Sequence, residues 1–233
     1  MTHPASKPLP ETITLPDGPA PGARRHIEQS MFPELRAHKA AGPLVPSVIT
    51  GTNADLIDQI RHLGYFDGSV IDLTYGDNGG WWKRWQPADF TIFDGDFTQP
   101  IDGQWDTVCY DPPYIPAGGS TTSTAGNFQD RYGIREDRNQ NELDDLMYAG
   151  LMNAAHAARR YLLVKCSDYV NGGRFTPQTY RMHHWAMTLG LTMHDEIIHH
   201  SGSGPGGHNI VNQLRARRHH SKLLVYTWKR IYS

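Results

Sequence analysis

Short apolar runs, each closed by a turn carrying Gly, Asp or Pro, alternate with segments of helical periodicity, and this alternation most constrains the fold. Val70-Ile71-Asp72-Leu73 runs into Thr74-Tyr75-Gly76-Asp77-Asn78-Gly79-Gly80, and Phe90-Thr91-Ile92-Phe93 into Asp94-Gly95-Asp96. Trp105 to Tyr110 runs into Asp111-Pro112-Pro113-Tyr114. Tyr161–Cys166, Thr192–His199 and Leu223–Tyr226 are further strand-like stretches. Ser47 to Gly51 reads as a turn before a helix capped near Thr52 or Asn53, with Leu56, Ile57, Ile60 and Leu63 on one face. Trp81, Trp82 and Trp85 read as part of a helix after the glycine-rich turn, and Glu142–Ala158 and Thr176–Leu189 as two more. Strands alternating with helices predict an α/β domain with a doubly wound parallel sheet.

The 233 residues suit one such domain. Residues 1–40, rich in Pro and Ala, read as a partly disordered extension, and 41–233 as the domain. Within it, residues 115–141 form a long loop rich in Gly, Ser, Thr and Asn; loops of that length are usually functional or mobile. No apolar run is long enough to span a bilayer and no leader is evident, so no membrane partner is expected. Cys109 and Cys166 both fall in apolar runs and make no disulfide framework. They read as small buried hydrophobes in a reducing cytosol, hence a cytoplasmic protein.

The formal net charge is −2, but it is unevenly distributed. Residues 1–150 carry 11 Lys and Arg against 21 Asp and Glu, a net of −10; residues 151–233 carry 11 against 3, a net of +8. The second part also holds nine of the 13 histidines. The asymmetry is compatible with a face that meets phosphates and equally with charge spread over a solvated surface.

Asp111-Pro112-Pro113-Tyr114 suits methyl transfer to an exocyclic amino nitrogen of a nucleobase. Such a nitrogen is a poor nucleophile because its lone pair is delocalised into the ring. The Asp111 carboxylate and the Pro112 carbonyl can accept its two N–H hydrogens, which aims the lone pair at an incoming methyl group. Pro112 and Pro113 hold the carbonyl in place, with fixed φ and no competing N–H. The Tyr114 ring offers a face on which a base can stack. The same four residues also read as an ordinary strand-to-turn junction.

In a doubly wound sheet, ligands bind beyond the carboxyl ends of the strands. Asp72 at one strand end can hold a cation, and Asp94, near the end of the next, can accept ribose hydroxyls. The Gly76–Gly80 turn lacks a Gly-Lys-Ser/Thr ending, which disfavours a phosphate-binding loop.

With these residues in view, the sequence resembles the S-adenosylmethionine-dependent DNA amino-methyltransferases of bacteria and their phages. Pro46 to Asn53, including Thr50, Thr52 and Asn53, resembles their cofactor-contacting segment ahead of the first strand. Asp72 to Gly79, with Thr74, Gly76 and Gly79, resembles their glycine loop, and Gly95-Asp96-Phe97 the acidic segment that reaches the cofactor's adenine. Asp111 to Tyr114 matches their catalytic motif, and Gln213 to Tyr226 their closing hairpin. The resemblance implies a mostly parallel, seven-stranded Rossmann-like methyltransferase sheet with an antiparallel C-terminal strand. It implies S-adenosylmethionine as cofactor and double-stranded DNA, with a flipped base, as partner. Two departures stand out: Asn78 where the family usually has Gly, and no evident separate target-recognition domain.

Two groups are candidates for contact with nucleic acid. Arg131, Tyr132, Arg135 and Arg138 lie in the long loop; Arg215, Arg217, Arg218, His219, His220 and Lys222 precede the last strand. Solvated charge is an equally good reading of both. His199-His200 and His219-His220 fit no zinc spacing, so no metal is expected. Lys165, after an apolar run, reads either as a strand-end residue facing the pocket or as a snorkelling lysine. Asp at position 111 favours adenine N6 over cytosine N4, where the related families commonly start the motif with Ser. Methylation of adenine in RNA and of a glutamine side chain are rivals of the same chemistry; a catalytically silent DNA-binding relative is a rival of another class. The small size is compatible with a solitary enzyme or a homodimer.

Overall fold

In a computed structural model, residues 43–76, 81–113, 140–171, 174–202, 216 and 219–228 are described. All lie within one compact unit, Gly42–Ser233. The elements are β1 (Val48–Thr50), α1 (Asn53–Ile60), β2 (Ser69–Asp72), β3 (Asp89–Ile92), β4 (Trp105–Tyr110), α2 (Gln140–Ala157), β5 (Ala158–Cys166), β6 (Tyr169–Asn171), β7 (Arg174–Thr176), α3 (Gln178–Thr188), β8 (Leu191–His200) and β9 (His220–Trp228).

Seven strands form one sheet in the order β1-β8-β9-β5-β4-β2-β3. β3, β2, β4 and β5 are mutually parallel, β8 pairs with β1 in parallel, and β9 alone is antiparallel, between β5 and β8. Six strands therefore point the same way, and their carboxyl ends share one edge. The predicted fold class is the observed one. A separate two-stranded hairpin, β6 with β7, follows β5.

The sheet is covered on both faces, which is why its strands read as continuous apolar runs rather than alternating ones. On one face Ile71, Val108, Tyr110, Leu162, Val164, Leu224 and Tyr226 pack with residues of α2 and α3 such as Met147, Leu151 and Met182. On the other, Val70, Cys109, Leu163, Leu223 and Val225 pack with Leu56, Ile57 and Ile60 of α1 and with Trp81 and Trp82. Leu56, Ile57 and Ile60 are essentially fully buried, each worth about 1.5–3 kcal/mol of hydrophobic stabilisation. Both cysteines are buried and unpaired.

Helix α1 starts as its sequence dictates. The Asp55 amide donates to Thr52 Oγ1 at 3.2 Å while Asp55 Oδ2 accepts from the Thr52 amide at 2.6 Å, a reciprocal capping box.

Three local expectations are corrected. Val48–Thr50, expected within a turn, is a strand paired with Ile198–His200. Trp81 to Arg84, expected to be helical, are turns and bends. Their indoles spread over the sheet rather than along a helix axis, in ring contacts joining Trp81, Trp82, Trp85, Phe66 and Phe90. Leu63 lies in a 3-10 turn beyond α1 and is exposed, because the helix ends at Ile60 and the face it would continue is lost.

Candidate active site

The carboxyl edge of the sheet brings together residues far apart in sequence. β2 ends at Asp72, with Leu73 and Thr74 beyond it, and β4 ends at Tyr110, followed by Asp111, Pro112 and Pro113. The two strand ends stay in register past their last ladder pairs. The Leu73 amide donates to the Cys109 carbonyl at 3.0 Å, and the Asp111 amide donates to Thr74 Oγ1 at 2.7 Å. On the other side of β2, the Phe93 amide donates to the Asp72 carbonyl at 3.0 Å, which carries β3 toward Asp94.

Asp111 is half-buried, and Pro112 and Pro113 are buried. Asp111 Oδ2 accepts from the Trp81 indole N–H at 2.9 Å and lies 3.8 Å from the Lys165 Nζ. The Lys165 ammonium also sits over the Trp81 ring, 5.9 Å from its centroid. Asp111 Oδ1 has no hydrogen-bond partner among the described residues. One carboxylate oxygen is thus held by Trp81 and Lys165.

Asp72 is buried and multiply bonded. Oδ1 accepts from the Thr74 amide at 2.8 Å and from Thr74 Oγ1 at 3.2 Å; Oδ2 accepts from the Trp82 indole N–H at 2.7 Å. Burial pushes its carboxyl up to about 6, against the pull of these donors, and the nearby Asp111 charge adds to the rise. Gly76, just beyond, has φ 59°, a left-handed conformation that glycine adopts without strain.

Farther along the same edge lie the end of β1 and the start of α1. Thr50 and Thr52 are exposed and Asn53 half-buried. Gly51 turns the chain with φ 137°, its amide donating to the His200 carbonyl at 2.9 Å. A Cβ there would lie 2.5 Å from Asp55 Oδ2, so the turn requires glycine. The buried His199 ring places Nε2 2.9 Å from the Gly51 carbonyl and Nδ1 3.4 Å from Ser221 Oγ. Burial lowers its pKa, Lys165 lowers it further, and the Gly51 carbonyl opposes both. Arg84 pairs with Asp55, linking the tryptophan segment to the cap of α1. Two Thr52 donors and Arg84 hold the Asp55 carboxyl down at about 2.

The structure separates the other sequence candidates. Asp94 is exposed beyond the end of β3. Asp96 Oδ1 accepts from the Thr98 amide and hydroxyl at 2.9 and 2.7 Å, closing a turn. Phe97 is buried, edge-on to Tyr110 with centroids 5.6 Å apart, and its carbonyl accepts from Asn153. Its side chain packs with the α2 core. Lys222 Nζ pairs with Glu196 Oε1 at 3.0 Å, and the His220 carbonyl accepts from Ser167 Oγ. His219 is half-buried. Gly79, Tyr114, Arg131, Tyr132, Arg135, Arg138, Arg215, Arg217 and Arg218 lie outside the described residues. Among the described residues, no group of three His, Cys, Asp or Glu side chains could hold a metal ion, and no helix is long and apolar enough to cross a membrane.

Three residues at this edge do not stand out as site residues in the sequence. Trp81 carries the signal of a core aromatic, Lys165 can be read two ways, and His199 shares its neighbourhood with His200. Only strand pairing places them together.

No protein-family model matches the sequence, and no curated protein matches it. Solved structures do. A protein of Thermus thermophilus, provisionally assigned as a DNA modification methylase, is 13% identical with a TM-score of 0.38; the match covers 71% of this chain and 56% of that one. This chain therefore spans just over half the length of that relative. The magnesium protoporphyrin IX methyltransferase of Synechocystis PCC 6803, with bound S-adenosylhomocysteine, is 11% identical over 89% of this chain and 98% of that one, with a TM-score of 0.43. A glycopeptide N-methyltransferase is 11% identical over 78% and 95%, with a TM-score of 0.43. The chain itself folds as a Rossmann-like sheet of the methyltransferase type, mostly parallel with antiparallel β9 set between β5 and β8.

Proposed function

We propose that this chain transfers a methyl group from S-adenosylmethionine to the exocyclic N6 amino group of adenine in DNA. The observation that carries the reading is the position of Asp111-Pro112-Pro113 at the carboxyl end of a central strand, bonded through the Asp111 amide to Thr74 beyond the neighbouring strand. Ligands of doubly wound sheets bind at this edge.

The side chains present fit the cofactor. Asp72 and Asp94 close adjacent strands and supply carboxylates, suited to a cationic group and to a ribose diol. The left-handed turn at Gly76 allows close approach of the backbone. S-adenosylmethionine supplies an activated methyl on a sulfonium. The protein's task is then positioning rather than activation.

Asp111 Oδ1 and the Pro112 carbonyl accept the two amino hydrogens of the target base, and Tyr114 stacks on its ring. The amino nitrogen forms the new bond to carbon while the electron pair of the broken C–S bond returns to sulfur. The nitrogen, acidic once methylated, then gives up a proton. A base inside a duplex cannot reach this edge, so it is flipped out. The loop with Arg131, Tyr132, Arg135 and Arg138, and the Arg215–Lys222 segment, are the proposed contacts with DNA.

The test is incubation with isotope-labelled cofactor and mixed DNA and RNA, followed by nucleoside mass spectrometry. Label in N6-methyl-2′-deoxyadenosine from DNA is the expected outcome. Label in N4-methylcytosine, or only in RNA, replaces the substrate; absence of label together with absence of cofactor binding by calorimetry identifies a silent relative.

A further inference from the structure

Lys165 ends an apolar run, and its side chain is only 8% exposed. A snorkelling lysine carries its ammonium to water; this one does not. A buried ammonium persists only where something compensates its charge. The compensation visible here is Asp111 Oδ2 at 3.8 Å and the Trp81 ring at 5.9 Å.

The reading above needs acceptors for an amino group here, and a carboxylate offers two oxygens. Trp81 and Lys165 meet at one of them, Asp111 Oδ2.

We infer that Lys165 is a positioning residue for the methyl transfer proposed above: its ammonium, with the Trp81 indole, fixes the Asp111 carboxylate by one oxygen, so that the other faces the substrate amino group. This rests on the methyl-transfer reading.

The experiment compares wild type, K165M and K165R by three-bond NMR couplings that report the Asp111 side-chain rotamer, its resonances assigned with D111N, and by steady-state methyl transfer. In K165M the couplings should average over several rotamers and kcat should fall about tenfold with KM little changed, and K165R should restore most of both. Unmoved couplings in K165M overturn the inference even if wild type methylates DNA. Averaged couplings support it, and if wild type then transfers no methyl, only the functional reading fails. Should K165M not fold, K165Q takes its place with the same two outcomes.

Discussion

The Asp111 amide donates to Thr74 Oγ1 at 2.7 Å, and that one hydroxyl fastens the end of β4 to the end of β2. The same Thr74 hydroxyl donates to Asp72 Oδ1 at 3.2 Å, so it relays between two carboxyl-bearing residues. Thr74→Val keeps the shape and removes the acceptor, leaving the Asp111 N–H without this partner. The cost should be about 1–3 kcal/mol in stability, with a fall in methyl transfer as Asp111 loses its anchor. Thr74→Ser should recover most of both. Urea unfolding and single-turnover rates measure the two effects separately.

Asp111→Ala removes the proposed acceptor without touching the glycine turn. Transfer should be abolished while cofactor binding by calorimetry stays close to wild type. Methylation by the purified variant at the native rate would falsify the assignment.

Asp72 gives a pH dependence of stability. Its folded-state value of about 6 exceeds the free side chain's 3.8. A carboxyl raised in this way favours the folded state where it is protonated, below about 4, and that contribution is lost as pH rises through about 6. The loss is on the order of 3 kcal/mol by pH 7. Measured by denaturant unfolding, wild type should lose stability relative to Asp72→Asn between pH 4 and 6, and the difference should level off above 7.

Gly150 of α2 packs directly on the sheet. A Cβ there would lie 2.2 Å from Tyr110 Oη and 2.7 Å from Phe97 Cδ2. Tyr110 cannot easily yield, because its ring is buried and its hydroxyl donates to the Met147 carbonyl at 3.1 Å. The helix-propensity gain of alanine, up to about 1 kcal/mol, is set against overpacking of about 1–3 kcal/mol. Gly150→Ala should therefore be net destabilising, with a lower thermal midpoint by calorimetry.

Much of the architecture was legible because the inner strands are buried on both faces. Trp105–Tyr110 appears in the sequence with the bounds it has in the sheet, and the alternation of runs identifies the doubly wound class. What was not legible depends on partners remote in sequence. Val48–Thr50 is three residues long, and its pairing partner lies some 150 positions on, so nothing local marks it as a strand. The hairpin Tyr169–Asn171 with Arg174–Thr176 pairs near neighbours instead, but its strands are as short. The tryptophan segment carries an aromatic pattern that suits a helix face equally well, and only ring-to-ring packing decides against one. At the site, Asp72, Thr74 and Asp111 stand out because strand ends in this class carry function. Lys165 does not, since an apolar run ending in lysine reads alike whether the ammonium meets water or a carboxylate.

The antiparallel strand β9 joins the sheet between β5 and β8, although it follows both in the chain. The β3-β2-β4-β5 half can assemble as its segments leave the ribosome. The β8–β1 pair reaches that half only through the 220–228 segment, so the edge at Thr50–Asn53 joins the sheet after it. A nascent chain stalled between residues 203 and 219 would carry Asp111 on the β3-β2-β4-β5 half without the β8–β1 strands.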